Sequence, residues 1–172
     1  TAVDALKKCR EDGLLGERLA GWSMLCQSEQ EAEEALSQWP EALLKAPWSS
    51  SGRGLMRSHA AHRQEWMRNI LSRQGSVVVE RWLQKVADFA LEFECDGEGD
   101  VQYKGLSLFY TNAQGAYMGN RFAPPAVMMQ QLADAGGPDA AALEALAARC
   151  CQVLAATYTG YRGPLGIDMK LV

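Results

Sequence analysis

The residues able to do chemistry in this chain fall in three stretches. In LLKAPWSSSGRGL, residues 43–55, a strand-like run carries Lys45 and opens into a loop holding Ser50, Ser51, Gly52, Arg53 and Gly54. Glycines let backbone N–H groups turn toward an anion with no Cβ in the way. Serine hydroxyls add donors, and Lys45 and Arg53 supply positive charge suited to phosphate oxygens. The spacing is not that of a Walker loop, because the lysine precedes the glycines. A mobile surface loop beside a snorkelling lysine fits the same residues.

The second stretch, VVVERWLQKVADFALEF at 77–93, is an apolar strand running into Glu80, Arg81, Trp82 and Leu83. A strand end of this kind can offer backbone groups to an adenine edge, with aromatic and aliphatic walls around the ring. Asp88 follows at a distance that lets its carboxylate accept from ribose hydroxyls. A plain strand with solvated charges at its end is the alternative. In the third stretch, GYRGPLGIDMKLV at 160–172, Asp168 sits inside an apolar strand. A carboxylate there is exposed on a cleft or paired with a cation, and a magnesium ion serving nucleotide phosphates is one such cation. A surface-facing strand residue is the other reading.

These residues need elements to hold them. The pattern predicts a short amphipathic stretch over 2–9, punctuation at Gly13 and Gly16, and a strand over 22–26. Ser28 is a helix N-cap before Glu29, Glu31, Glu33 and Glu34, with that helix ending near Pro40. Ala42 to Ala46 reads as a strand, 47–54 as irregular, and 60–74 as a helix with Trp66, Ile70 and Leu71 inward. Val77 to Val79 is β-branched throughout, as expected of a strand buried on both faces. Antiparallel strands over 89–93, 101–110 and 116–118 are joined by the turns DGEGD and TNAQG. Helices over 125–135 and 139–158 lead through a Gly/Pro loop at 160–166 into a last strand at 167–172.

Composition sets the frame. At 172 residues, 48% hydrophobic and 22% charged, the chain has ordinary globular content and room for a core. A net charge of −4 argues against a general nucleic-acid binder, although Arg53 to Arg73 is a local basic stretch. Cysteines at 9, 26, 95, 150 and 151 form no CxxC pair and suit reduced thiols, hence a cytoplasmic protein. No apolar run approaches the roughly 20 residues of a bilayer span, so no membrane partner is expected. His59 and His62 lack a third ligand at metal spacing and are expected at the surface. Residues 105–120, with Tyr103, Lys104 and the anion-binding candidates Asn120 and Arg121, read as a half-buried meander.

The order of the three stretches resembles the ATP-grasp superfamily, with LKAPWSSSGRG the most specific element. The resemblance covers about residues 42–172 and implies an α+β fold of two small α/β subdomains with an antiparallel sheet, gripping ATP. The corresponding division is 1–75, bearing the phosphate loop, and 76–172. Carried over, Lys45 and Arg53 act catalytically on the phosphates, and Ser50, Ser51, Gly52, Arg53 and Gly54 form the covering loop. Glu80, Arg81, Trp82 and Leu83 form the adenine hinge, Asp88 faces the ribose, and Asp168 is the first carboxylate for Mg2+. The implied activity is ATP-dependent ligation of a carboxylate to an amine through an acyl phosphate. A non-catalytic interaction module and a phosphotransferase on the same fold remain open. The family's ExN strand and its amino-terminal domain find no counterpart here, and neither Arg10 nor Arg18 stands in a convincing phosphate-binding context. The chain is therefore expected to be a fragment, incomplete at both ends and inactive alone. An open sheet edge at 167–172 suggests pairing of two copies.

Overall fold

Ser28 begins the first helix through its side chain. Its Oγ accepts from the Glu31 N–H at 3.2 Å, and Glu31 Oε2 reaches back to the Gln27 N–H at 2.7 Å. Two otherwise orphaned donors are thereby satisfied, and the acids of the first turn complement the helix dipole. The helix, α1, runs Glu29–Gln38. The computed structural model describes residues 23–49 and 52–172. The expectations placed on residues 2–22, including Arg10 and Arg18, and on Ser50 and Ser51 lie outside the described residues.

Two compact units emerge. In the first, α1 follows β1 (Ser23–Cys26) and precedes β2 (Ala42–Lys45), β3 (Leu55–Arg57), α2 (Arg63–Gln74) and β4 (Val77–Arg81). Its sheet has the order β1-β4-β2-β3, with antiparallel pairing throughout. One face is apolar. Cys26, Ala42, Leu44, Met56, Val77 and Val79 pack with Ala32, Ala35 and Leu36 of α1 and Met67 of α2. Trp66, Ile70 and Leu71 border this core, as expected, but its buried centre on α2 is Met67. Val78 is only partly buried, so β4 alternates instead of being covered on both faces. β3 falls where the sequence carries no expectation: three residues are too short to show a pattern.

Because β4 pairs with β1 and β2, the first unit extends to Leu83, where the sequence reading divides the chain at 75/76. Residues 111–117 also belong to it. The basic stretch after the loop is partly neutralised within this unit. Arg63 Nη2 lies 2.8 Å from Glu33 Oε1, and Arg68 Nε lies 3.5 Å from Glu29 Oε2. His59 and His62 are exposed.

The second unit is built from β5 (Ala87–Asp96), β6 (Val101–Thr111), β7 (Tyr117–Asn120), α3 (Pro125–Asp134), α4 (Ala140–Thr157) and β8 (Arg162–Leu171). Its sheet runs β7-β6-β5-β8, and β5 pairs antiparallel with both β6 and β8. Phe89, Leu91, Phe93 and Cys95 form its buried row, together with Leu106 and Leu108 of β6. By length and composition α4 is the one described helix apolar enough to cross a bilayer. It packs on β5 and buries Leu143, Leu146, Ala147, Val153 and Leu154 along one side. The expected loop at 160–166 is instead largely strand, beginning at Arg162. Pro164 is tolerated because β8 is an edge strand, where a missing N–H forfeits little.

Candidate functional site

Lys45 and Glu80 project from the face of the first sheet opposite its core. Lys45 pairs in register with Val78, and Leu43 pairs with Glu80, so the two charged residues are diagonal neighbours across adjacent strands. Their side chains meet, with Lys45 Nζ 2.7 Å from Glu80 Oε2 at exposures of 35% and 24%. Leu43 and Leu55 share this face through the β2–β3 register, and Leu43 is buried.

The loop after Lys45 is closed at its base. Ala46 N–H donates to Gly54 O at 2.8 Å, Ser49 Oγ donates to Arg53 O at 3.0 Å, and Trp48 N–H donates to Gln74 Oε1 at 2.9 Å. Gly52 and Gly54 have φ of 74° and 97°, the left-handed region glycine adopts without strain. Space as well as backbone demands glycine at Gly52, since a Cβ there would come 2.4 Å from Ala116 Cα. Gly52→Ala is therefore expected to lower stability by about 1–3 kcal/mol, checked by urea unfolding of wild type and variant. Arg53 is exposed.

The segment after β4 stays tied to the sheet. Trp82 N–H donates to Glu41 O at 2.9 Å, and the Arg57 guanidinium lies over the Trp82 indole, with Cζ 3.4 Å from the ring centroid. Arg81 is exposed and Leu83 half-buried. Arg57 was not singled out by sequence. Three residues are too few to show in sequence the alternation that places Arg57 opposite the core-facing Met56.

Asp88 and Asp168 lie in the second unit. Asp88 is buried and ion-paired with Lys85. Asp168 stands opposite Ala90 on β8 and is exposed. The register puts Asp88, Glu92, Asp168 and Lys170 on one face of the sheet, away from the Phe89–Phe93 row. Glu92 was also missed by sequence. Its Oε1 accepts from Ser107 Oγ at 2.7 Å, and a Cβ on the facing Gly166 would approach its Oε2 to 3.0 Å. Among the described residues no group of three or more His, Cys, Asp or Glu is arranged to hold a metal ion.

Structural comparison gives this arrangement a context. N5-carboxyaminoimidazole synthetase from Staphylococcus aureus, complexed with ADP, matches 98% of this chain and 40% of its own, with a TM-score of 0.62 at 9% identity. Biotin carboxylase from Campylobacter jejuni, in a β-γ-ATP complex, matches 96% of this chain and 36% of its own, with a TM-score of 0.65 at 13% identity. The chain has an ATP-grasp fold. D-alanine–D-alanine ligase from Helicobacter pylori shares it, with a TM-score of 0.57 at 14% identity, over 96% of this chain and 48% of that one. No family model matches the sequence, and no curated protein matches it significantly. The chain spans 36–48% of the length of these three ATP-grasp structures.

Proposed function

We propose that this chain is the nucleotide-binding region of an ATP-dependent carboxylate–amine ligase that works through an acyl phosphate. The observation that carries this reading is the adjacency of Lys45, at the mouth of a Ser/Gly loop, and Glu80, at the head of the Trp82 segment, within an ATP-grasp fold. Solved structures with that fold hold ADP or ATP. In the first unit Lys45, Arg53 and the loop Ser50–Gly54 face the phosphates, while Glu80, Arg81, Trp82 and Leu83 frame adenine. In the second, Asp88 faces the ribose and Asp168 is the carboxylate for Mg2+. Magnesium, when bound, neutralises phosphate charge.

The chemistry follows from what a carboxylate lacks. Its carbon is a poor electrophile, so its oxygen first attacks the γ-phosphorus of ATP, forming an acyl phosphate and releasing ADP. The amine then attacks the acyl carbon, inorganic phosphate leaves, and the amine loses a proton. Lys45 and Arg53 contribute positioning and charge opposite the transferring phosphoryl group. Pairing of two copies along β8 rests on that strand's place at the end of its sheet. A cytoplasmic setting rests on cysteine usage alone.

The test is thermal unfolding of the full-length protein that carries this chain, with and without Mg-ATP. Stabilisation, followed by ADP release that depends on a carboxylate and an amine, is expected. A well-folded protein indifferent to Mg-ATP would remove the ligase reading and leave a non-catalytic interaction module. ADP release with a stable phosphoproduct would instead indicate a phosphotransferase.

A further inference from the structure

Arg57 is a side chain whose placement the core does not explain. It stands in a cross-strand row with Leu43, Glu80 and Ser23, on the same sheet face as Lys45. Its guanidinium reaches across β2 to lie over the Trp82 indole, and its Nη1 is buried with no hydrogen-bond partner among the described residues. The acid in the same row, Glu80, is engaged by Lys45. Stacking accounts for the position of the guanidinium but not for a buried N–H that lacks an acceptor among the described residues, which costs stability. A methionine would cover the indole without that cost. A costly donor held against an aromatic wall is what a ligand-reading residue looks like before its ligand arrives.

We infer that Arg57 is a recognition residue on the base side of the nucleotide site: it fixes the Trp82 indole by stacking and offers its unpaired Nη1–H to an acceptor atom of the bound nucleoside. The inference rests on the nucleotide reading above. Trp82 belongs to the segment assigned to adenine, whereas the phosphate-directed cation is Lys45, on the neighbouring strand. Purine ring nitrogens and ribose hydroxyls are acceptors of the right class for a guanidinium N–H.

Arg57→Met and Arg57→Lys in the full-length protein test it, by calorimetric titration with Mg-ATP, adenosine and inorganic tripolyphosphate, alongside thermal unfolding without ligand. Arg57→Met is expected to keep or raise the unfolding temperature and to weaken Mg-ATP and adenosine about tenfold. Tripolyphosphate binding stays unchanged. Arg57→Lys, which keeps the charge without the plane, falls short of wild-type affinity for adenosine. In a double-mutant cycle, Arg57→Met and Trp82→Leu together weaken adenosine by less than the product of their separate effects. Unchanged adenosine affinity in both Arg57 variants would overturn the inference while leaving the nucleotide reading intact. So would an equal loss for tripolyphosphate, or strictly multiplicative effects in the cycle. A wild-type protein that binds none of the three ligands would defeat the nucleotide reading itself.

Discussion

Lys45→Ala is expected to remove about half or more of the stabilisation that Mg-ATP confers on the full-length protein while leaving the ligand-free protein almost as stable as before. A ligand at a hundred times its dissociation constant adds about 2.7 kcal/mol to a one-site protein. A charge-assisted hydrogen bond from lysine to phosphate contributes about 1.5–3 kcal/mol, so its loss weakens binding roughly ten- to a hundredfold. At the same nucleotide concentration the variant then gains about 1.4 kcal/mol or less. The ligand-free protein hardly responds, because the Lys45–Glu80 pair is a partly exposed surface pair and such pairs are worth roughly 0–1 kcal/mol. The two effects separate in one experiment, thermal unfolding of both proteins over a nucleotide titration. A variant that keeps the full Mg-ATP shift would exclude Lys45 from the phosphate site.

The second large effect is expected at Phe93. Its side chain is 1% exposed and packs tilted against Tyr103, with ring centroids 5.7 Å apart and planes at 54°. β5 lies between β6 and β8, so Phe93 sits in the middle strand of three and has little room to be replaced by a shifting neighbour. Phe93→Ala should cost about 3–5 kcal/mol, through lost transfer free energy plus the cavity left behind. Chemical unfolding checks this best when followed by near-ultraviolet tyrosine signals. All five tryptophans lie at or before position 82, whereas tyrosines 103, 110, 158 and 161 belong to the second unit. A cost below about 1 kcal/mol would mean that the site collapses around the smaller residue.

Much of this is legible in the sequence. Ser28 and the acids after it announced α1, since capping is a local interaction that needs no tertiary partner. Lys45 in an apolar run before a Ser/Gly loop, and the VVVERWL segment, were both visible and both lie on strands of one sheet. What escaped was whatever depends on register. Arg57 follows a loop and sits in a strand of three residues, too short to display a period. Glu92 carries no distinguishing pattern in sequence, and only the pairing of β5 with β6 brings Ser107 against it. Asp88 read as an open carboxylate, but the turn between β4 and β5 brings Lys85 back onto it, which spacing alone does not reveal. At Asp168 a cleft and a plain surface position were both open, and the structure places it exposed on an edge strand.

The place of β8 has a consequence for how the chain comes into being. β1 to β4 lie within residues 23–81, so the first sheet's strands leave the ribosome before those of the second sheet and close together in sequence. β5 and β8 join residues 87–96 to residues 162–171. Until that far partner is synthesised, one side of β5 has no strand to bond, and the Phe89–Phe93 row lacks part of its cover. Long-range pairings of this kind form slowly, and exposed strand edges invite wrong partners meanwhile. During translation, then, the half of the molecule that carries Lys45 is set to organise first, and the half that carries Asp168 is the one a chaperone would have to guard.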